Sequence, residues 1–258
     1  MKRALVTGAG TRIGRSMALY LGQQGFDVAV HYATSKTAAE EVVEILSAQG
    51  CKACTLQADL LEETAVQGLV PAAMAALDGP ITCLLNNASI FEYDNIKSAT
   101  RNSWDRHIES NLRAPFVLTQ AVADAAPDPL HDKRNEPIAQ SLVVNMIDQR
   151  VRKLTPEFMT YTIAKMGLWA FTQTAAQGLA PQVRVNAIGP GPTLQGARQS
   201  ADHFTKQRRN TVLERGANTE DITAALGYLL SAPSVTGQLI CVDGGQHLSW
   251  RTPDVLHD

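Results

Sequence analysis

Arg3-Ala4-Leu5-Val6-Thr7-Gly8-Ala9-Gly10-Thr11-Arg12-Ile13-Gly14 decides the fold. A short apolar run breaks at glycines and continues into Arg12 to Gln24, where Ile13, Met17, Leu19, Tyr20 and Leu21 have helical spacing. The stretch therefore reads as strand, tight turn and helix. Backbone N–H groups in such a turn, at a helix N-terminus, hold a pyrophosphate, and glycines let the backbone come close to it. The glycines fall at 8, 10 and 14, not at G-x-G-x-x-G spacing, so their place between a strand and a helix carries the nucleotide reading.

The same alternation runs outward along the chain. Strands are expected at Asp27 to His31, Lys52 to Gln57, Ile81 to Asn86, Ser141 to Ile147, Val183 to Ile188 and Gln238 to Val242. Between them come helices at Thr37 to Gln49, Glu62 to Leu77, Ser103 to Ala125, Phe158 to Leu179 and Glu220 to Ser231. Seven strands alternating with helices predict an α/β fold, a Rossmann-type doubly wound parallel sheet with helices on both faces, in one domain over residues 1–258. Two stretches break the rhythm. Pro127 to Pro137, rich in Pro, Asp, Lys and Arg, reads as an exposed loop. Residues 190–210 begin Pro-Gly-Pro-Thr and turn polar and basic, with Arg198, Lys206, Arg208 and Arg209. Lying past a strand's C-terminal end, this segment is placed to cover a ligand.

Composition narrows the function classes. The 23 basic and 25 acidic residues nearly balance, which removes the electrostatic reason to expect nucleic acid or an anionic membrane as partner. A small-molecule substrate is expected instead. Met1-Lys2-Arg3 is followed by only a short apolar run, and no stretch of 18 apolar residues follows, so a cytoplasmic protein is expected. Cys51 and Cys54 have redox or metal spacing, but no second Cys or His pair completes a zinc site. With Cys83 and Cys241 they read as free thiols in a reducing compartment, and no metal is expected.

The chemistry concentrates between Asp148 and Lys165. Tyr161 and Lys165 are four apart, so on a helix both side chains share one face about one turn apart. An ammonium beside a phenol, together with an oxidised nicotinamide, moves the Tyr pKa down from about 10. Such a Tyr exchanges protons at working pH. Asp148 stands thirteen residues before it. An ionised carboxylate there would repel the alkoxide formed from a ketone, so plain carbonyl reduction is disfavoured. A carboxylate suits a substrate with N–H donors, and a desolvated one with raised pKa can pass a proton to a ring nitrogen. The plainer alternative has Asp148 capping the loop before the helix, with activity lost or altered.

The second strand supplies the cofactor preference. A free ribose 2′-hydroxyl is ordinarily met by an Asp or Glu at that strand's end, about 20 residues past the glycines. Here Val30-His31-Tyr32-Ala33-Thr34-Ser35-Lys36 has none, and the next acid is Glu40. Hydroxyls and a cation suit a 2′-phosphate, so NADP(H) is expected over NAD(H). Ser35 serves equally as a helix cap, with Lys36 solvated.

These pieces, in this order and over the whole chain, resemble the short-chain dehydrogenase/reductase family. Thr7-Gly8 to Gly14 resembles its glycine motif, and Asp59-Leu60 the pair at the adenine. Asn86-Asn87-Ala88 resembles its sheet-stabilising motif, Asn111 its helix Asn, and Pro190-Gly191 its loop by the nicotinamide. Tyr161-x-x-x-Lys165 resembles the catalytic pair, and Asp243-Gly244-Gly245 also fits. Two departures are informative: the middle glycine of the first motif is Arg12, and the usual catalytic Ser is Asp148. Both resemble pteridine reductases, as does Asn87-Ala88-Ser89-Ile90-Phe91. His31-Tyr32-x-x-Ser35 is similar to that subgroup's NADPH-side segment, although Ala33 and Thr34 replace more basic residues.

The resemblance implies hydride transfer from NADPH to a dihydropterin C=N bond, with Phe91 and the nicotinamide sandwiching the ring and Ser89 touching cofactor and substrate. Asp148, Tyr161 and Lys165 relay protons in that scheme. Lys165 also holds the nicotinamide ribose, Asn111 supports a water-linked proton path, and Arg12 neutralises pyrophosphate and reaches the substrate edge. Gly8, Arg12, Ile13, Gly14, His31, Tyr32, Ser35, Asp59, Leu60, Asn87, Ala88, Pro190 and Gly191 are the expected cofactor contacts. The family likeness further implies a homotetramer built on the helices of residues 103–125 and 158–179, with the tail Gln246 to Arg251 directed toward a neighbouring site. Two other readings stay open. One is a reductase of an unrelated carbonyl or imine; the other is a catalytically weak NADP(H)-binding sensor, against which Tyr161, Lys165 and Asn111 argue.

Overall fold

The computed structural model describes residues 2–196 and 199–251, so the expected loop cation Arg198 lies outside the described residues. β1 (Arg3–Val6), α1 (Arg12–Gln23), β2 (Asp27–Tyr32), α2 (Lys36–Ala48), β3 (Ala53–Gln57), α3 (Glu63–Ala76) and β4 (Cys83–Asn86) form the first half. The second half contains α4 (Arg101–Ile108), α5 (Ala114–Asp124), a short hairpin of β5 (Leu130–His131) and β6 (Pro137–Ile138), then β7 (Ser141–Met146) and α6 (Met159–Gly178). It closes with β8 (Val183–Pro190), α7 (Ala201–Arg209), α8 (Thr219–Ser231) and β9 (Leu239–Val242).

Seven strands pair in the order β3-β2-β1-β4-β7-β8-β9, every pair parallel. The order reverses between β1 and β4, which opens a crevice at their carboxyl ends. Alternation along each strand feeds two cores. In β1, Ala4 and Val6 pack with α1, α2 and α8 residues such as Met17, Val42 and Leu226, while Leu5 faces α3 and α5 residues such as Leu69 and Leu118.

Two elements differ from expectation. The long helix over 103–125 is interrupted by a π turn at Glu109–Arg113, where the Ala114 N–H bonds to the Glu109 carbonyl. Pro115, next in the chain, has no N–H to continue the ordinary ladder. The loop at 127–137 contains the β5–β6 hairpin, because the Asp132 carboxylate accepts from the N–H groups of Arg134 and Glu136 and Asn135 takes φ +62°.

Candidate active site

Residues from the ends of β1, β2, β4, β7 and β8 line one cavity of about 550 Å³. Thr7 joins the two strands that flank the crevice. Its hydroxyl accepts from the N–H groups of Asn87 and Ala88, and the Asn87 amide donates back to Thr7 and Gly8 carbonyls at 2.8 and 3.2 Å. Below them the Asn86 amide donates to Asn145 at 2.8 Å, and the Asn145 amide to Thr172 at 2.9 Å, which ties β4, β7 and α6 together inside the sheet. Gly14 is required by close approach: a Cβ there would stand 2.2 Å from the Gly8 carbonyl oxygen.

Gly8, Arg12, Ile13, Gly14, Tyr32, Ser35, Asn87, Ala88, Pro190 and Gly191, all expected at the cofactor, line the cavity. Three other expected contacts do not. His31 is buried behind the glycine turn, its Nδ1 accepting from the Gly8 N–H and its Nε2 facing the Ala58 carbonyl; burial lowers its pKa. Strand alternation explains this, since Tyr32 takes the cavity side and His31 the other. The exposed Asp59 carboxylate accepts from the Leu61 N–H, and Leu60 is part of the core. Ser35 stands at the start of α2 without a side-chain cap bond, and Lys36 pairs with Glu40 at 3.7 Å on the surface.

Arg12 departs from expectation in a different way. It takes φ +54°, a left-handed conformation that glycine adopts more readily, and its guanidinium donates to the carbonyls of Gln195 and Leu194 at 2.9 and 3.1 Å. It thus ties the glycine turn to the segment that covers the cavity.

At the other end, β7 delivers Asp148 and α6 delivers Tyr161 and Lys165. The Tyr161 hydroxyl donates to Asp148 Oδ2 at 3.0 Å, and Asp148 Oδ1 accepts from the Arg150 N–H at 2.8 Å. Asp148 therefore both caps the following turn and touches the phenol. Burial raises its pKa, against the Arg150 N–H, the Arg150 charge, the Tyr161 hydroxyl and Lys165. The expected lowering of the Tyr161 pKa is not found. Burial and then the adjacent Asp148 carboxylate push the phenol well above its ordinary value, while Lys165 donates to the Met146 carbonyl at 2.8 Å. Burial lowers the Lys165 pKa to about 8, with Asp148 opposing.

Phe158, just before α6, takes a left-handed conformation and has no side-chain oxygen to cap the helix. Buried Asp94 supplies the cap from 66 residues away: it accepts from the Thr160 N–H at 3.1 Å and from the Thr160 hydroxyl. His107 completes the anchor, its Nε2 accepting from the Glu92 N–H and its Nδ1 meeting Thr160 Oγ1 at 2.7 Å. Asn111, in the π turn, is wholly buried and does not line the cavity. Its amide accepts from the Ile90 N–H and donates to the Ile90 carbonyl, so it positions the loop carrying Ser89 and Phe91.

Ser89, Phe91, Asp148 and Tyr161 share the cavity wall. Phe91 stacks on Phe158 at 4.3 Å, the Arg150 guanidinium lies over the Phe158 ring at 5.1 Å, and Tyr161 meets Phe91 edge-on at 4.7 Å. Arg150 and Phe158 escaped the sequence reading. No spacing in the sequence marks Phe158, which lies just before α6 in a left-handed conformation. Gln246 also lines this chain's own cavity, although its segment was expected to serve a neighbour.

Known proteins bear on this geometry. A family model described as enoyl-(acyl carrier protein) reductase matches residues 8–247. The 3-oxoacyl-[acyl-carrier-protein] reductase FabG of Staphylococcus aureus is 32% identical over 252 residues, covering 96% of this chain and 98% of that one. FolM alternative dihydrofolate reductase 1 of Brucella suis, solved in complex with NADP, is 40% identical with a TM-score of 0.91, covering 99% of this chain and 98% of its own. Its Brucella canis counterpart, also complexed with NADP, gives 39% and 0.90 over the same shares.

Proposed function

The chain belongs to the short-chain dehydrogenase/reductase family, and from that premise we propose that it reduces a C=N bond of a dihydropteridine, with NADP(H) as cofactor. The observation that carries the substrate class is the half-buried Asp148 carboxyl, in hydrogen-bond contact with Tyr161 beside the half-exposed ring of Phe91. The 40% identity to the Brucella suis FolM alternative dihydrofolate reductase supports the same reading.

The residues present fit the cofactor. The glycine turn from Gly8 to Gly14 lies along the cavity wall at the start of α1, and the wall from Tyr32 to Ser35 presents hydroxyls and no carboxylate, as a 2′-phosphate needs. When bound, NADPH supplies a hydride. The protein's part is the proton that balances it. Asp148, with its raised pKa, retains a proton to higher pH than a solvated carboxyl and donates it to the ring nitrogen. Tyr161 Oη, 3.0 Å away, donates a hydrogen bond to the carboxylate left behind, the Lys165 ammonium stabilises its charge, and solvent entering the cavity reprotonates Asp148. Phe91 offers a flat face to the ring, and Asn111 fixes the loop that holds it.

A carbonyl reductase is the second reading, favoured by the identity with the S. aureus enzyme. The higher identity to the Brucella suis FolM protein, 40% against 32%, weighs against it. The enzyme works in the cytoplasm as a homotetramer in this proposal; the exposed Trp104, Phe116, Ile163 and Met166 on α4, α5 and α6 offer the contact surface.

NADPH consumption measured with dihydrobiopterin, dihydromonapterin and dihydrofolate, beside a ketone and acetoacetyl-thioester panel, tests the assignment. Turnover is expected on at least one pterin and little on ketones; turnover of ketones with none on any pterin overturns it. Asp148→Asn is expected to lower kcat about 10²-fold or more while largely keeping KM, as loss of a proton relay does. An Asn variant as active as wild type refutes that role.

A further inference from the structure

A second hollow, of about 350 Å³, adjoins the reactive cavity and shares Gln207 and Gln246 with its wall. Three separate segments build it. Lys153 comes from the turn that Asp148 begins, His203 and Lys206 from α7, and Gln246 from the turn after β9. Among the described residues its lining contains no acidic and no apolar side chain. It is a concave, positively charged annex to a site for a flat ring.

The two lysines differ from their neighbours. Arg208, on the same helix, spends its guanidinium on the carbonyls of Pro192, Ala217 and Gly216 and on the Asn218 side chain. Among the described residues neither Lys153 nor Lys206 has an ion pair or a side-chain hydrogen bond. Two unpaired ammonium groups facing one hollow repel each other weakly, and an anion between them relieves that repulsion and gains hydrogen bonds from the surrounding amides. A solitary surface lysine carries no such meaning; two lysines, a histidine and carboxamides around a space continuous with the reactive cavity do.

We propose that this hollow is a subsite for a negatively charged arm of the substrate, so that the enzyme favours pteridines whose side arm ends in carboxylates or phosphates over those with a neutral arm. The inference rests on the pteridine reading of the reactive cavity. It places the substrate ring at Phe91 and its arm across Gln207 and Gln246 into the annex.

The test compares dihydrofolate, with a carboxylate arm, dihydroneopterin triphosphate, with a phosphate arm, and neutral dihydrobiopterin, on wild type and a Lys153→Gln/Lys206→Gln double variant. For the anionic-arm substrate that is turned over, KM is expected to rise roughly 3- to 30-fold at unchanged kcat, the range two partly exposed ion pairs supply. Dihydrobiopterin should keep its KM within about twofold, and Lys→Arg at both positions should restore the anionic-arm KM. The larger of the two rises identifies the arm. No rise for either anion, or an equal rise for dihydrobiopterin, overturns the subsite. Calorimetric binding of p-aminobenzoylglutamate and of inorganic triphosphate to the NADP⁺-loaded protein separates the two ideas. Binding that weakens in the double variant supports the subsite even if no pteridine is turned over, an outcome that fails the pteridine reading alone. Absent or unchanged binding overturns the subsite, whatever happens to dihydrobiopterin.

Discussion

Asp148 gives up its proton reluctantly because burial outweighs the donors around it. A carboxyl whose folded pKa lies above its ordinary 3.8 contributes stability that is full below about pH 4 and lost as pH rises through the folded value. Asp148→Asn abolishes that titration. Its Tm is expected to exceed that of wild type at neutral pH, by about 2–4 °C for each kcal/mol involved, with the gap closing toward pH 4. Calorimetry across that range checks the sign, and equal Tm values throughout would show that the carboxylate is under no burial penalty. Residue placement at the cavity was legible in the chain where chemistry demands one residue type at one spacing, as with Tyr161 and Lys165. The charge state was not legible: helical spacing puts Lys165 near Tyr161, but the lysine is engaged by Met146, and Asp148 dominates the phenol. His31 was misplaced because neighbouring residues on a strand face opposite ways, and periodicity alone does not say which faces the ligand.

Elements were the most legible level, because short apolar runs, glycine breaks and 3.6-residue spacing specify them locally. The π turn at Glu109–Arg113 was hidden, since its amphipathic pattern continues across Pro115 without a gap. Its consequence is Asn111 aimed at Ile90, a contact between residues 21 apart that no local pattern announces. The β1–α1 turn is the element most exposed to experiment. In Gly14→Ala the new methyl would meet the Gly8 carbonyl at 2.2 Å and the Asn87 amide at 2.5 Å, both parts of the framework holding β1 to β4. A stability loss of about 1–3 kcal/mol is expected, with NADPH binding weakened tenfold or more. Thermal unfolding and fluorescence titration measure the two; unchanged values would mean the turn has room that its geometry denies.

At the scale of the whole molecule, strand order brings the ends of β1 and β4 together at the crevice and lets α7 and the turn after β9 close over it. Sequence alternation predicts the doubly wound sheet but not which distant loops meet, so the annex around Lys153 and Lys206 was invisible in the chain. The exposed apolar residues of α4, α5 and α6 are expected to support a tetramer, with a light-scattering mass four times the 27.8 kDa chain, reduced by Ile163→Asp. A monomer mass for wild type would refute that assembly. Arg12→Gly bears on the molecule as a whole too. It removes a left-handed arginine, so Tm is expected to hold or rise slightly, while the tie to Leu194 and Gln195 is lost and kcat/KM falls. Paired melting and rate measurements check this, and a large drop in Tm would contradict it. A laboratory selection for heat resistance would then accept the very codon change that a selection for turnover rejects, making position 12 a place where the two breeding goals part.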